Sequence, residues 1–294
     1  MFVWQTSRFE IDLSRPKVMG VVNVTPDSFS DGGEHFEIHS ALMHCEQLLR
    51  EGADILDIGG ESSRPGALAL SLEEELARVI PVVRHAVTLG VPVSVDTYKP
   101  AVMQAVLDLG ADIINDIWAL RWSDLQGLKS ALDVVSDLGS CGLCLMHMHR
   151  DPQTMQTTPM QGDVVAQVSG FLAERLQALE RKGISRQRIC IDPGIGFGKT
   201  VAQNFALLAH QRGMLDLGYP VVSGWSRTSS LGAVTGAAAD DRVAASVAAA
   251  VLAVERGAHI VRVHDEKATV QGLKVLEAMQ SAESKENKNQ EKRP

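Results

Sequence analysis

One pattern recurs along the chain: a glycine, a short apolar run, then a polar residue. Gly52-Ala53-Asp54-Ile55-Leu56-Asp57 is echoed by Gly110-Ala111-Asp112-Ile113-Ile114-Asn115 and by Gly257-Ala258-His259-Ile260-Val261-Arg262. Looser copies occupy residues 90–96 and 218–223. Each glycine falls where a helix should end, because glycine takes the left-handed conformation at little cost. The apolar run then reads as a strand buried on both faces, as in a parallel sheet. With the runs at 18–22, 141–146 and 189–191, the chain offers eight strand candidates.

The segments between them have helical length and spacing. Ser71-Leu72-Glu73-Glu74 opens one with a capping box, and Leu72, Leu76, Val79, Ile80 and Val83 then share a face. Alternating strands and helices predict a parallel sheet with right-handed crossovers. Eight such units in about 270 residues match a single α/β (β/α)8 TIM barrel. An open doubly wound sheet is the runner-up, but no linker divides the chain. The expected organisation is an N-terminal extension over 1–16, a barrel over 17–281, and a polar tail over 282–294 with too few apolar residues to order it.

Composition narrows the class further. With 36 Asp+Glu against 28 Lys+Arg the net charge is −8, which argues against bulk nucleic-acid binding. The longest apolar stretch, 243–254, is too short to span a bilayer, and the N-terminus has no export signal. Four cysteines in 294 residues make no disulfide framework, so a reducing cytoplasm is expected.

Barrel enzymes place their chemistry at the carboxyl ends of the strands. Those ends here carry Asn23, Asp57, Asp96, Asn115, His147, Asp192, Ser226 with Arg227, and Arg262 with His264. One such residue alone would be a loop contact; the whole set suggests a site. Carboxylates and amides suit a flat heterocycle rich in N–H groups, and Arg262 with His264 adds positive donors for phosphate. Three other patterns are set aside. Gly194 to Thr200 looks like a P-loop, but Pro193 stands where Walker A needs glycine. Cys141 and Cys144 form a lone CxxC leading into a strand, read as structural thiols. His147 and His149 lack a third ligand at zinc spacing.

The fifteen residues from Met19 to Gly33, MGVVNVTPDSFSDGG, resemble the first-loop signature of the dihydropteroate synthases. GGESSRPG at 59–66 resembles that family's second loop, and VDT at 95–97, NDI at 115–117, LMHM at 145–148, DPGIGFGK at 192–199 and RVHD at 262–265 follow in family order. The resemblance implies a TIM barrel that joins 6-hydroxymethyl-7,8-dihydropterin pyrophosphate to p-aminobenzoate in folate biosynthesis, with sulfonamides as competitors. It places the pterin on Asp96, Asn115 and Asp192, with Met146 near the ring. Asn23, Arg262 and His264 would hold the pyrophosphate and carry catalysis, with Mg2+ at Asn23. Ser63, Arg64, Pro65, Phe197 and Phe29 would shape the aminobenzoate pocket, bordered by Ser226. A homodimer is implied too, with the Ala-rich helix at 243–254 as a candidate surface.

Two positions depart from the family. Ser63 stands where threonine is usual, a mild change. Thr228 stands where the family has a lysine that reaches both substrates. An alternative reading is therefore a pterin-binding paralogue with impaired turnover; a pterin-binding methyltransferase domain ranks last, since it would lack the first-loop signature.

Overall fold

The computed structural model describes residues 2–24, 34–64, 66–123 and 129–290. Eight parallel strands form one sheet: β3 (Lys17–Asn23), β4 (Ile55–Gly59), β5 (Val93–Asp96), β6 (Ile113–Asp116), β7 (Gly142–Met146), β8 (Ile189–Asp192), β9 (Val222–Ser223) and β10 (Ile260–Val263). They run in the order β8-β7-β6-β5-β4-β3-β10-β9. An isolated parallel bridge between Ile191 and Val221 joins the two ends, closing the barrel. The strands sit where the repeated unit predicts them. All five repeat glycines, Gly52, Gly90, Gly110, Gly218 and Gly257, have positive φ, the conformation that ends each preceding helix or turn.

The outer helices, α1 (Glu34–Glu51), α2 (Leu72–Ala86), α3 (Pro100–Asp108), α4 (Ala131–Asp137), α5 (Val164–Arg181), α6 (Val201–His210), α7 (Ser229–Thr235), α8 (Val243–Glu255) and α9 (Glu266–Gln290), surround the barrel. Helix α2 (Leu72–Ala86) begins at Ser71, whose hydroxyl accepts from Glu74 N while the Glu74 carboxylate accepts from Ser71 N. Helix α8 (Val243–Glu255) buries Ser246, Ala249, Ala250 and Ala253 within its own chain and leaves Ala244 and Ala248 exposed. Helix α9 (Glu266–Gln290) continues past residue 281. Its last turns lie in the segment the sequence reading leaves disordered, where Glu, Lys, Gln and Ala have good intrinsic helix propensity.

The N-terminal extension is a small hairpin, β1 (Val3–Gln5) antiparallel to β2 (Glu10–Asp12). Trp4 is fully buried, and its indole N–H donates to the Arg188 carbonyl at 2.9 Å. Trp4, Ile11 and Leu13 pack against Met19, Ile55, Ile113, Cys144, Cys190, Val222 and Ile260. The hairpin thus plugs the amino-terminal end of the barrel. Arg8 fixes it sideways, donating from Nε and Nη2 to Asp112 at 3.0 and 2.6 Å.

Candidate active site

Side chains on a strand alternate faces, so inward positions recur every second residue. The plug marks one inward layer. Two residues further along the same strands come Asp57, Asn115, Met146, Asp192 and Arg262, and β5 adds Asp96. One step up the barrel therefore converts an apolar floor into a polar chamber.

Asp57 is the centre of that chamber. It is fully buried, and its Oδ2 accepts from Arg262 Nε at 2.6 Å and from Asn115 Nδ2 at 3.2 Å. Arg262 Nη2 donates to Asp96 Oδ2 at 2.9 Å. Four residues from four strands are thus joined through one guanidinium and one carboxylate. Asp192 stands beside them, its Oδ1 accepting from Gly194 N at 2.7 Å. The sequence places Asp57 among the strand-end residues but assigns it no ligand role. Its position in the repeat was the only signal; its partnership with residue 262 was invisible.

Burial pushes the Asp192 carboxyl up to about 6, against the Gly194 N–H, Lys199 and Arg262, which lower it. Burial also raises Asp96, with Arg262 opposing. For Arg262, burial disfavours the charge, but Asp57 and Asp96 outweigh it and the guanidinium stays protonated. The chamber therefore combines a fixed cation with carboxyls poised to accept N–H groups.

His264 requires a correction. The sequence reading makes it a positive donor, but burial first, then Arg262 and Arg227, bring its pKa down to about 3. It is a neutral imidazole near neutral pH. Ser226 Oγ accepts from His264 N at 3.1 Å and lies 3.0 Å from Nδ1. A serine proton donated to Nδ1 leaves Nε2 carrying the ring hydrogen, a neutral donor for an anion.

Around the chamber, Met146 and Phe197 pack with Tyr98, Ile117, Met148, Met155, Trp118 and Trp122 as an apolar wall. Ser63 shares a cleft with Asp96, Thr97, Tyr98 and Ile117. Arg64 is exposed, yet its charge lies close enough to act on His264. Asn23 ends β3, half-buried. Pro65, Phe29 and the first loop from Thr25 to Gly33 lie outside the described residues.

Thr228 precedes α7 (Ser229–Thr235) as its N-cap residue, but its hydroxyl makes no capping bond and is buried without a partner among the described residues. Both neighbouring cations are engaged by other partners. Lys199 is buried and donates to the carbonyls of Gly194, Phe197 and His147 at 2.7, 3.1 and 3.3 Å; burial brings it down to about 7. The P-loop-like stretch thus commits its lysine to backbone carbonyls, two of its own and that of His147. Arg227 forms a two-pronged pair with Asp265 at 2.6 and 3.1 Å.

Residues 19–264 match the profile of the family described as Pterin binding enzyme. A dihydropteroate synthase of Neisseria meningitidis serogroup B is 50% identical over 283 residues, covering 94% of this chain and 97% of the relative. The crystal structure of Burkholderia cenocepacia dihydropteroate synthase complexed with 7,8-dihydropteroate superposes with a TM-score of 0.86 at 50% identity, over 97% of this chain and 98% of that one. The Yersinia pestis enzyme with a sulfonamide drug complex gives a TM-score of 0.88 at 41% identity, over 95% and 100%.

Proposed function

The chain belongs to the pterin binding enzyme family, as a dihydropteroate synthase, and from that premise we propose how its barrel mouth performs the condensation. The observation that carries the assignment of roles is the convergence of Asp57, Asp96, Asn115, Asp192 and Arg262 in one inward layer.

Asp192 accepts two parallel N–H bonds from the 2-amino-4-oxo edge of the pterin, while Asp96 and Asn115 hold the remaining ring edge. Met146, Ile117 and Phe197 cover its faces. Arg262, with the neutral Nε2–H of His264, grips the diphosphate. The exocyclic C–O bond breaks with its electrons passing to diphosphate, and the pterin ring spreads the positive charge left on carbon. The aniline lone pair of p-aminobenzoate closes the C–N bond, and its surplus proton passes to water. An aniline is already nucleophilic, so the protein stabilises departure more than it activates attack. Ser63, Arg64, Pro65 and Phe197, with Ser226 at the edge, receive the aminobenzoate, and sulfonamides compete there.

Mg2+ fits this arrangement as a substrate-borne ion. Asn23 offers one neutral amide oxygen, the kind of single protein ligand that suffices for an ion keeping waters and phosphate oxygens. It would neutralise charge developing on the leaving diphosphate.

Purified protein with both substrates and Mg2+ should release dihydropteroate and pyrophosphate. Pterin binding without condensation would defeat the catalytic reading, and methyl transfer from methyltetrahydrofolate would defeat both. The relatives lend no support to the alternative of a paralogue impaired by Thr228. The lost lysine still has an expected consequence, because Lys199 and Arg227 are committed elsewhere. Thr228→Lys should raise kcat/KM about threefold to tenfold, read from kinetics with each substrate varied; unchanged constants would place the side chain away from both.

Proton linkage supplies a second check. Asp192 must be a carboxylate to accept both N–H groups, and its pKa lies near 6. Affinity for a pterin lacking phosphate should fall as pH drops through that value, approaching about tenfold per unit, with the raised carboxyl of Asp96 adding to the fall. Calorimetric titration measures it. A flat profile down to about pH 5 would remove Asp192 from the role.

A homodimer is proposed, with a candidate surface that extends from α8 to its neighbours α7 and α9. Val234, Leu252, Val275 and Met279 are exposed apolar residues on α7, α8 and α9, and sedimentation showing only monomer would reject it. Four buried free cysteines suit a reducing cytoplasm. No described helix is long and apolar enough to cross a membrane.

A further inference from the structure

Lys99 occupies the N-cap position of α3 (Pro100–Asp108), and its side chain makes no capping bond. That is an unfavourable place for a cation, since helix N-termini carry positive potential and favour Ser, Asp or Asn. Its ammonium instead lies 2.5 Å from Glu61 Oε2 and 2.5 Å from Glu75 Oε2. Glu75 is almost wholly buried, and its other oxygen accepts from Thr97 Oγ1 at 2.6 Å. Glu61 Oε1 accepts from Tyr98 OH at 3.0 Å, while Oε2 also accepts from Leu70 N at 3.0 Å. One carboxylate therefore holds both ends of the second loop, residues 61 and 70. The lysine ties that carboxylate to α2 and to the chain just beyond Asp96. At its far side the loop meets the segment after β7, where Gly66 N donates to Pro152 O at 3.2 Å.

A buried charged cluster is a poor way to gain stability, because desolvation offsets much of the attraction. What it does fix is geometry, through several directional bonds. We propose that Glu61, Lys99 and Glu75 form a staple that sets the position of the second loop over the barrel mouth, with Lys99 and Glu61 as positioning residues for the aminobenzoate substrate. The assignment of substrate rests on the synthase reading, since Ser63 and Arg64 lie between the stapled ends. The staple itself rests on geometry alone.

Glu61→Gln tests it while leaving Lys99 paired with Glu75. Backbone amide exchange of residues 62–71 should accelerate about tenfold, with the barrel strands unchanged. KM for p-aminobenzoate should rise about tenfold, the KM for the pterin pyrophosphate and kcat each moving less than about threefold. Tyr98→Phe, which removes one hydrogen bond and no charge, should shift both readouts the same way by about two- to fivefold. Unchanged exchange in the loop would overturn the staple, as would equal rises in both KM values or faster exchange across the whole barrel. If the wild-type chain fails to condense the substrates, the synthase reading falls, and the amide exchange alone decides the staple.

Discussion

Replacing Arg262 with alanine should lower kcat/KM for the pterin pyrophosphate by about three orders of magnitude, in the range seen when a group stabilising transition-state charge is removed. Two losses combine. A charge-assisted contact to diphosphate disappears, worth about 1.5–3 kcal/mol. The buried Asp57 and the partly buried Asp96 also lose their shared cation, bonded at 2.6 and 2.9 Å. Asp96 then binds a proton more readily and accepts less well from the pterin, so phosphate-free pterin should also bind more weakly, but by a smaller factor. Stability should fall by about 3–5 kcal/mol, the usual result of stranding one side of a buried pair. Binding of pterin with and without its diphosphate, measured on the folded variant, separates the effects. Equal losses for the two ligands would make Arg262 a scaffold for Asp57 and Asp96 only.

The other large effect is expected at the opposite end of the barrel. Trp4→Ala should destabilise the chain by about 3–5 kcal/mol, as for other fully buried aromatic residues cut to alanine. The indole is 0% exposed, seals the inward layer formed by seven strands, and satisfies the Arg188 carbonyl. Its removal opens a cavity in the floor and leaves that carbonyl without its donor. Urea denaturation should show a lower midpoint with an unchanged slope. A loss below about 1 kcal/mol would mean that the floor closes without the hairpin.

The barrel strands were legible because each is an apolar run buried on both faces, and five of the eight are announced by a left-handed glycine just before the run. The polar ring followed, since strand ends in this architecture face one mouth. The hairpin was not legible: three-residue strands carry too little alternation to stand out, and their burial depends on a floor assembled from distant residues. Tertiary partners also decided the protonation of His264 and the fate of Lys199. A lysine after a glycine-rich turn suggests an anion, and only the folded backbone reveals three carbonyls already occupying its protons. The roles of Glu61 and Lys99 were hidden for the same reason, their meeting being 38 residues apart in the chain.

The two-residue offset between the apolar floor and the polar ring governs which heritable changes the chain can absorb. A substitution in the ring alters what the mouth accepts while leaving the floor intact. A one-residue insertion just before Ile191 would do something different: it would swing Asp192 out among the helices and bring Ile191 into the chamber. Length changes are therefore tolerable in the loops between strands and helices, the second loop with its aminobenzoate residues included, and not within the strands that carry the ring.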